Sequence, residues 1–156
     1  LKYMTNNDIL RRIRYLFNFS DLKMVELFKL AEYDVEKTEV MDWLRKTEDP
    51  FLVEMTDKEL SIFLNGFIID KRGKREGSPP EPEKRLNNNI ILRKLKIALD
   101  LKAEDIIELF ALINIKISKP ELSAFFRKSD HKSYRPFMDQ YLRNFLNALQ
   151  TKYKKK

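Results

Sequence analysis

The single histidine of this chain, His131, stands between Asp130 and Lys132, with Ser129 and Ser133 on either side. A His beside an Asp and a Ser carries the groups of a hydrolytic triad. Triads, however, are assembled from spatial neighbours on a preorganised site, and five consecutive polar residues form a local loop. No oxyanion donor or nucleophile context accompanies them, so the expectation is no catalytic residue here. The enzyme case is thin elsewhere too. The chain has no Cys and three Gly. That excludes thiolate nucleophiles, iron–sulfur and Cys-ligated zinc sites, and argues against Gly-rich phosphate loops. One His excludes multi-His metal sites. The reading is a non-enzyme with no metal and no cofactor.

The remaining candidates are charged or amide side chains. Arg11, Arg12 and Arg14 recur as Arg93, Lys94 and Lys96, and Arg45-Lys46 recurs as Arg127-Lys128. Arrays of this kind neutralise phosphates and release counterions; equally, they are ordinary solvated helix faces whose long stems shield apolar surface. The charge is uneven. Residues 5–72 carry 11 basic and 14 acidic side chains, and residues 87–156 carry 15 and 7, within a net charge of +7. The nucleic-acid candidates are therefore Arg93, Lys94, Lys96, Arg127 and Lys128 of the second half. Arg11, Arg12, Arg14, Arg45 and Lys46 form the paired face of the first. Asn65 and Asn147 sit at the edge of an apolar helix face, where a half-buried amide must find partners, and are read as structural. Asp57 and Asp139 are read as helix-capping residues.

These recurrences belong to one pattern. At an offset of 82 the chain matches itself at 18 of 66 positions, 5–70 on 87–152, without a gap; composition alone would give about 4. Asn6-Asn7 pairs with Asn88-Asn89, Ile9-Leu10-Arg11 with Ile91-Leu92-Arg93, Glu26-Leu27-Phe28 with Glu108-Leu109-Phe110, and Phe63-Leu64-Asn65 with Phe145-Leu146-Asn147. The period is too long for a solenoid and suits a doubled small domain. Four helices are expected per copy. In the first they run over about 6–19, 21–32 and 36–46, with a fourth beginning near Thr56-Asp57, and Asn6 or Asn7 caps the first. Thr56/Glu59 and Ser118/Glu121 have capping-box spacing. Nothing sustains a two-residue alternation, so no strand is expected. The predicted fold is all-α, two tandem four-helix repeats packed with pseudo-twofold symmetry, because a repeat of this size alone would be marginal. The expected boundaries are 5–72, a Gly/Pro/charged linker at 73–86, 87–152, and a basic tail at 153–156. The linker's Pro79–Pro82 stretch reads as plain spacer rather than as a docking strand.

The segment Asn87 to Leu95, together with Asp130-His131-Lys132 and Phe145-Leu146-Asn147, resembles the YehS-like family, as do Trp43-Leu44-Arg45-Lys46 and Phe63-Leu64-Asn65-Gly66. These are small bacterial proteins with two copies of a domain of unknown function. The resemblance covers all but residues 1–3 and the Lys-rich end. It implies bacterial origin and doubled architecture, and no activity.

Helices two and three of each copy have the flavour of a helix-turn-helix. Leu30 and Leu112 stand where a small residue is needed, and Asp34 and Lys116 where the turn usually has Gly, so a generic helical hairpin is favoured. Met4 reads as a natural first residue with no leader behind it. No run approaches the ~18 apolar residues of a membrane span. A cytoplasmic, non-catalytic binding module is therefore expected. A protein-interaction or adaptor role comes first and phosphate contact through the basic second repeat second; the partner and oligomeric state are not encoded legibly.

Overall fold

The structure, a computed structural model, describes residues 4–154. The described residues form eight helices and no strand: α1 (Asn6–Phe17), α2 (Asp21–Leu30), α3 (Lys37–Trp43), α4 (Asp57–Arg72), α5 (Asn88–Ala98), α6 (Ala103–Leu112), α7 (Lys119–Phe125) and α8 (Asp139–Tyr153). The four helices of the second set each start 82 residues after their counterparts. The chain divides into two compact units, one spanning Met4–Leu86 and one beginning at Asn87. In the first, α2 packs on α4 and α3, and α1 packs on α4; in the second, α6 packs on α8 and α7, and α5 packs on α8.

Helix ends follow local chemistry. Thr5 caps α1, with its hydroxyl accepting from the Asp8 amide and the Asp8 carboxylate accepting from the Thr5 amide. Asn87 caps α5. The expected caps Asn6 and Asn7 are thus displaced by one or two residues, because the preceding side chain already meets the free amides. Thr56/Glu59 and Ser118/Glu121 form the capping boxes that their spacing predicts. Asp57 and Asp139, read from sequence as capping residues, instead open the first turns of α4 and α8, after Thr56 and Met138. Helix α8 continues to Tyr153, one residue past the boundary expected for the repeat. Lys152 in its last turn is favoured there by the helix dipole. The rest of the expected tail, Lys155 and Lys156, lies outside the described residues, as do residues 1–3.

Four helices end in left-handed residues that are not glycine: Asn18 (φ 55°), Glu32 (61°), Asp100 (54°) and Asn114 (63°). In each case the next amide bonds back five residues, Phe19 to Arg14, Tyr33 to Phe28, Leu101 to Lys96 and Ile115 to Phe110. This Schellman closure satisfies the last carbonyls. The second turn places its left-handed residue at Glu32 and Asn114, two positions before the Asp34 and Lys116 at which a helix-turn-helix comparison looks for glycine.

Each unit has its own aromatic core. Phe28 lies 5.4 Å from both Trp43 and Phe63, ring centre to ring centre. Phe110 lies 6.1 Å from Phe145, and Phe125, Phe137 and Tyr141 form a second cluster. Gly66 marks the crossing of α2 and α4, since a Cβ there would fall 1.8 Å from the Leu27 carbonyl oxygen. The equivalent position in α8 is Ala148, fully buried.

A candidate anion-binding surface

Two buried asparagines hold the loops on which the candidate cations stand. The Asn7 amide, 4% exposed, donates to the Trp43 (2.9 Å) and Val53 (2.8 Å) carbonyls and accepts from the Met55 amide (3.0 Å). Asn89, 7% exposed, donates to Phe125 (3.0 Å) and Arg135 (2.8 Å) and accepts from Phe137 (2.9 Å). The α7–α8 loop is thereby closed at its base, where the Arg135 amide also bonds the Ala124 carbonyl at 3.1 Å. Sequence reasoning missed both residues. The available signal was an Asn pair repeated in both copies immediately after a residue that already serves as cap.

In the first unit Arg11 and Arg14 of α1 and Arg45 just after α3 are neutralised internally. Arg11 pairs with Asp8 and also donates to the Arg45 carbonyl and Thr47 hydroxyl. Arg14 pairs with Asp21 at 2.9 Å, and Arg45 pairs with Asp42 at 3.0 Å and Asp49 at 3.2 Å. The Phe51 amide and the Arg45 guanidinium hold the Asp49 carboxyl below its ordinary value. Lys46 is exposed and Arg12 is half-buried.

The second unit keeps the cations and has lost these carboxylates. Arg93, Lys96 and Arg127 stand at the positions of Arg11, Arg14 and Arg45. The places of Asp8, Asp21, Asp42 and Asp49 are taken by Ile90, Ala103, Ala124 and His131. Arg93, Arg127, Lys128 and Lys132 are exposed and make no ion pair with any described residue. Arg93 stands on α5, and Arg127, Lys128 and Lys132 on the loop between α7 and α8. Arg93 occupies the α5 position from which Arg11 reaches the end of α3 in the first unit. The Lys96 ammonium lies 5.7 Å from the centre of the Phe126 ring, next in sequence to Arg127. Segment 126–135 carries four basic residues and one acidic, against two and two in the corresponding segment 44–53. Lys132 and Arg135 escaped the sequence reading, although comparing the loop's charge between copies would have found them.

Lys94 is not one of these exposed cations. It is 8% exposed, because position 94 follows Ile91 by three and precedes Leu95 and Ala98 on the inward stripe of α5. Asp130 and His131 form no triad. Asp130 makes no hydrogen bond to His131, whose Nδ1 accepts the Ser133 amide at 2.9 Å. His131 itself is exposed.

The polar residues read as structural take different places in the two units. Asn65 is 2% exposed and donates to the Pro80 carbonyl at 3.4 Å. It lines, with Tyr33, Lys58, Ile62, Pro80 and Pro82, a cavity of about 430 Å³. Asn147 is exposed, which corrects the expectation of a half-buried amide. Asp57 accepts from the Asn6 amide at 2.7 Å and from the Leu86 backbone at 2.9 Å. Asp139 accepts from Asn88 at 2.6 Å. The segment expected to be plain linker is therefore fastened to α4. The Glu83 amide donates to Ser61 Oγ at 3.0 Å, and that hydroxyl donates to the Glu83 carboxylate.

Among the described residues no group of three or more His, Cys, Asp or Glu side chains could hold a metal ion. No helix among them is long and apolar enough to cross a membrane.

An all-α chain of two equivalent four-helix units with one cationic loop is thus defined, and comparison with known proteins gives its family. The family model described as "Protein of unknown function (DUF1456)" matches residues 6–73 and again 88–155. The chain is 42% identical over 147 residues to "Uncharacterized protein YehS" of Escherichia coli (strain K12), covering 94% of each. It belongs to the DUF1456 family, as a YehS-like protein with the domain duplicated. No solved structure gives a significant match.

Proposed function

We propose that the second unit is a sequence-tolerant phosphate-binding surface that holds nucleic acid, with Arg93, Lys96, Arg127, Lys128 and Lys132 as the contacting side chains. One observation carries this reading: cations that the first unit neutralises with its own carboxylates are kept in the second without them. Exposed, unpaired guanidinium and ammonium groups gain most from a polyanion, through release of its condensed counterions. No base-reading helix is implied, so the contacts set affinity and register rather than sequence. A cytoplasmic location belongs with this reading.

The test is a series of binding isotherms for a labelled 20-mer at increasing salt. Affinity should fall linearly on logarithmic axes, with a slope of about −2 to −4 for three to five contacts. Tight binding without a salt slope, or no binding at low salt, would refute the reading.

An adaptor role for the first unit is favoured by a separate observation. Met41, Phe51 and Val53 are exposed around the Asp42–Arg45 pair, where the second unit has Ser123, Ser133 and Arg135. The fold does not need apolar residues there, and exposed apolar clusters mark contact surfaces. A photo-crosslinker at Phe51 should capture one discrete protein, and capture should vanish in Val53→Arg; diffuse labelling would count against an adaptor role.

A further inference from the structure

The phosphate-binding reading leaves open whether the nucleic acid is single- or double-stranded. Resting on that reading, we propose that the ligand is a single strand whose bases stack on Phe126 and Tyr134. Both positions lie on the loop that carries the unpaired cations, Phe126 directly before Arg127 and Tyr134 directly before Arg135. Both rings are half-buried, so part of each is accessible. Neither has an aromatic partner among the described residues, whereas Phe125, Phe137 and Tyr141 pack on one another in the core.

The first unit shows that the fold does not require rings here. It places Leu44 and Leu52 at these positions, equally half-buried. The second unit therefore has two aromatic rings where the first has leucines, and none of the first unit's four pairing carboxylates. His131, in the place of Asp49, adds an exposed imidazole whose Nδ1 is held by Ser133. Its Nε2–H is then the free donor, suited to a phosphate oxygen. Cations interleaved with half-buried rings that lack an aromatic partner suit a strand with unstacked bases, because every base offers a π-face to a ring and a duplex keeps its bases stacked inside. The Lys96 ammonium, 5.7 Å from the Phe126 ring centre, joins the two features.

The test uses the full chain and fluorescence anisotropy, with four labelled 20-mers at one salt concentration: uridine RNA, thymidine DNA, a DNA duplex, and an abasic DNA strand that keeps every phosphate. At least one single strand should bind about tenfold or more tighter than both the duplex and the abasic strand. The arm that binds, RNA, DNA or both, identifies the strand. The double variant F126L/Y134L carries the residues native to the first unit, and circular dichroism verifies its fold. It should fall to the affinity of the abasic strand while keeping the salt slope. Equal affinity for strand and duplex, or an unchanged F126L/Y134L, overturns the stacking inference and leaves phosphate contact standing. Loss of salt-dependent binding to all four probes refutes the phosphate reading itself.

Discussion

The side-chain amides of Asn7 and Asn89, 82 residues apart, grip equivalent sets of three backbone groups, two carbonyls and one amide each. Removing either leaves those groups buried and unmatched, at about 1–3 kcal/mol per group before relaxation. Asn7→Ala and Asn89→Ala should each destabilise their own unit by about 3 kcal/mol. Amide exchange should locate the loss at 44–55 for the first and 126–137 for the second. Equal loosening of both loops by one substitution would contradict this assignment.

Position 66 and position 148 offer a contrast within one molecule. A methyl group at Gly66 meets a backbone oxygen that no side-chain movement can clear. Gly66→Ala should cost several kcal/mol, on the order of the worst overpacking substitutions, and thermal melts should show it. Ala148→Gly should cost about 1 kcal/mol from helix propensity and a small cavity.

Restoring the missing carboxylates tests the exposed cations without removing one. Ala124→Asp with His131→Asp recreates the partners that Arg45 has in Asp42 and Asp49. Binding of a 20-mer should weaken about tenfold or more at low salt, and the salt slope should fall by about 1 as Arg127 becomes occupied. The same measurement on Arg93→Gln and Lys128→Gln should lower the slope by a similar step for each.

Two carboxyls should titrate below their ordinary values. Asp49 is held by the Phe51 amide and then Arg45, and Glu121 by the Ser118 amide and then its hydroxyl. Each folded-state value is depressed, so each contribution to stability is complete above the unfolded-state value and disappears as pH falls through the folded one. Carbon-detected NMR titration should place both midpoints on the acid side of the unfolded peptides. Stability should decline with acidification through that window and not with a rise from neutral to mildly alkaline pH.

The segment after Gly77 is pinned to α4 by Ser61 and Asp57. Ser61→Ala should speed tryptic cleavage after Lys84 and Arg85 several-fold. Cleavage after Lys74 and Arg75, which make no hydrogen bond or ion pair with described residues, should be unchanged.

Much of this was readable in the residues because duplication supplies its own control. Helical spacing and capping boxes gave eight helices near their observed ends, and the 82-residue offset gave their pairing. The positions of Arg11 and Arg93 were read together for the same reason. What escaped the reading depended on partners distant in sequence. Asn7 looks like a cap until Trp43, Val53 and Met55 come near it. Lys94 looks solvent-facing until the inward stripe of α5 is drawn through it. The linker looks free until Ser61, a small polar residue inside an apolar helix, is found to hold it. Loops showed a further limit. Charge counts over whole halves concealed that half of the excess on the described second unit, +3 of +6, lies in one segment between α7 and α8.

The base of that segment is fastened by Asn89, a residue outside it. Its tip is therefore released from any duty to the scaffold. Residues 127 to 134 can be rewritten or randomised with little penalty to folding, as the antigen-facing loops of antibodies are. The protein thus offers a cysteine-free frame on which chosen peptides could be displayed in place of the native loop.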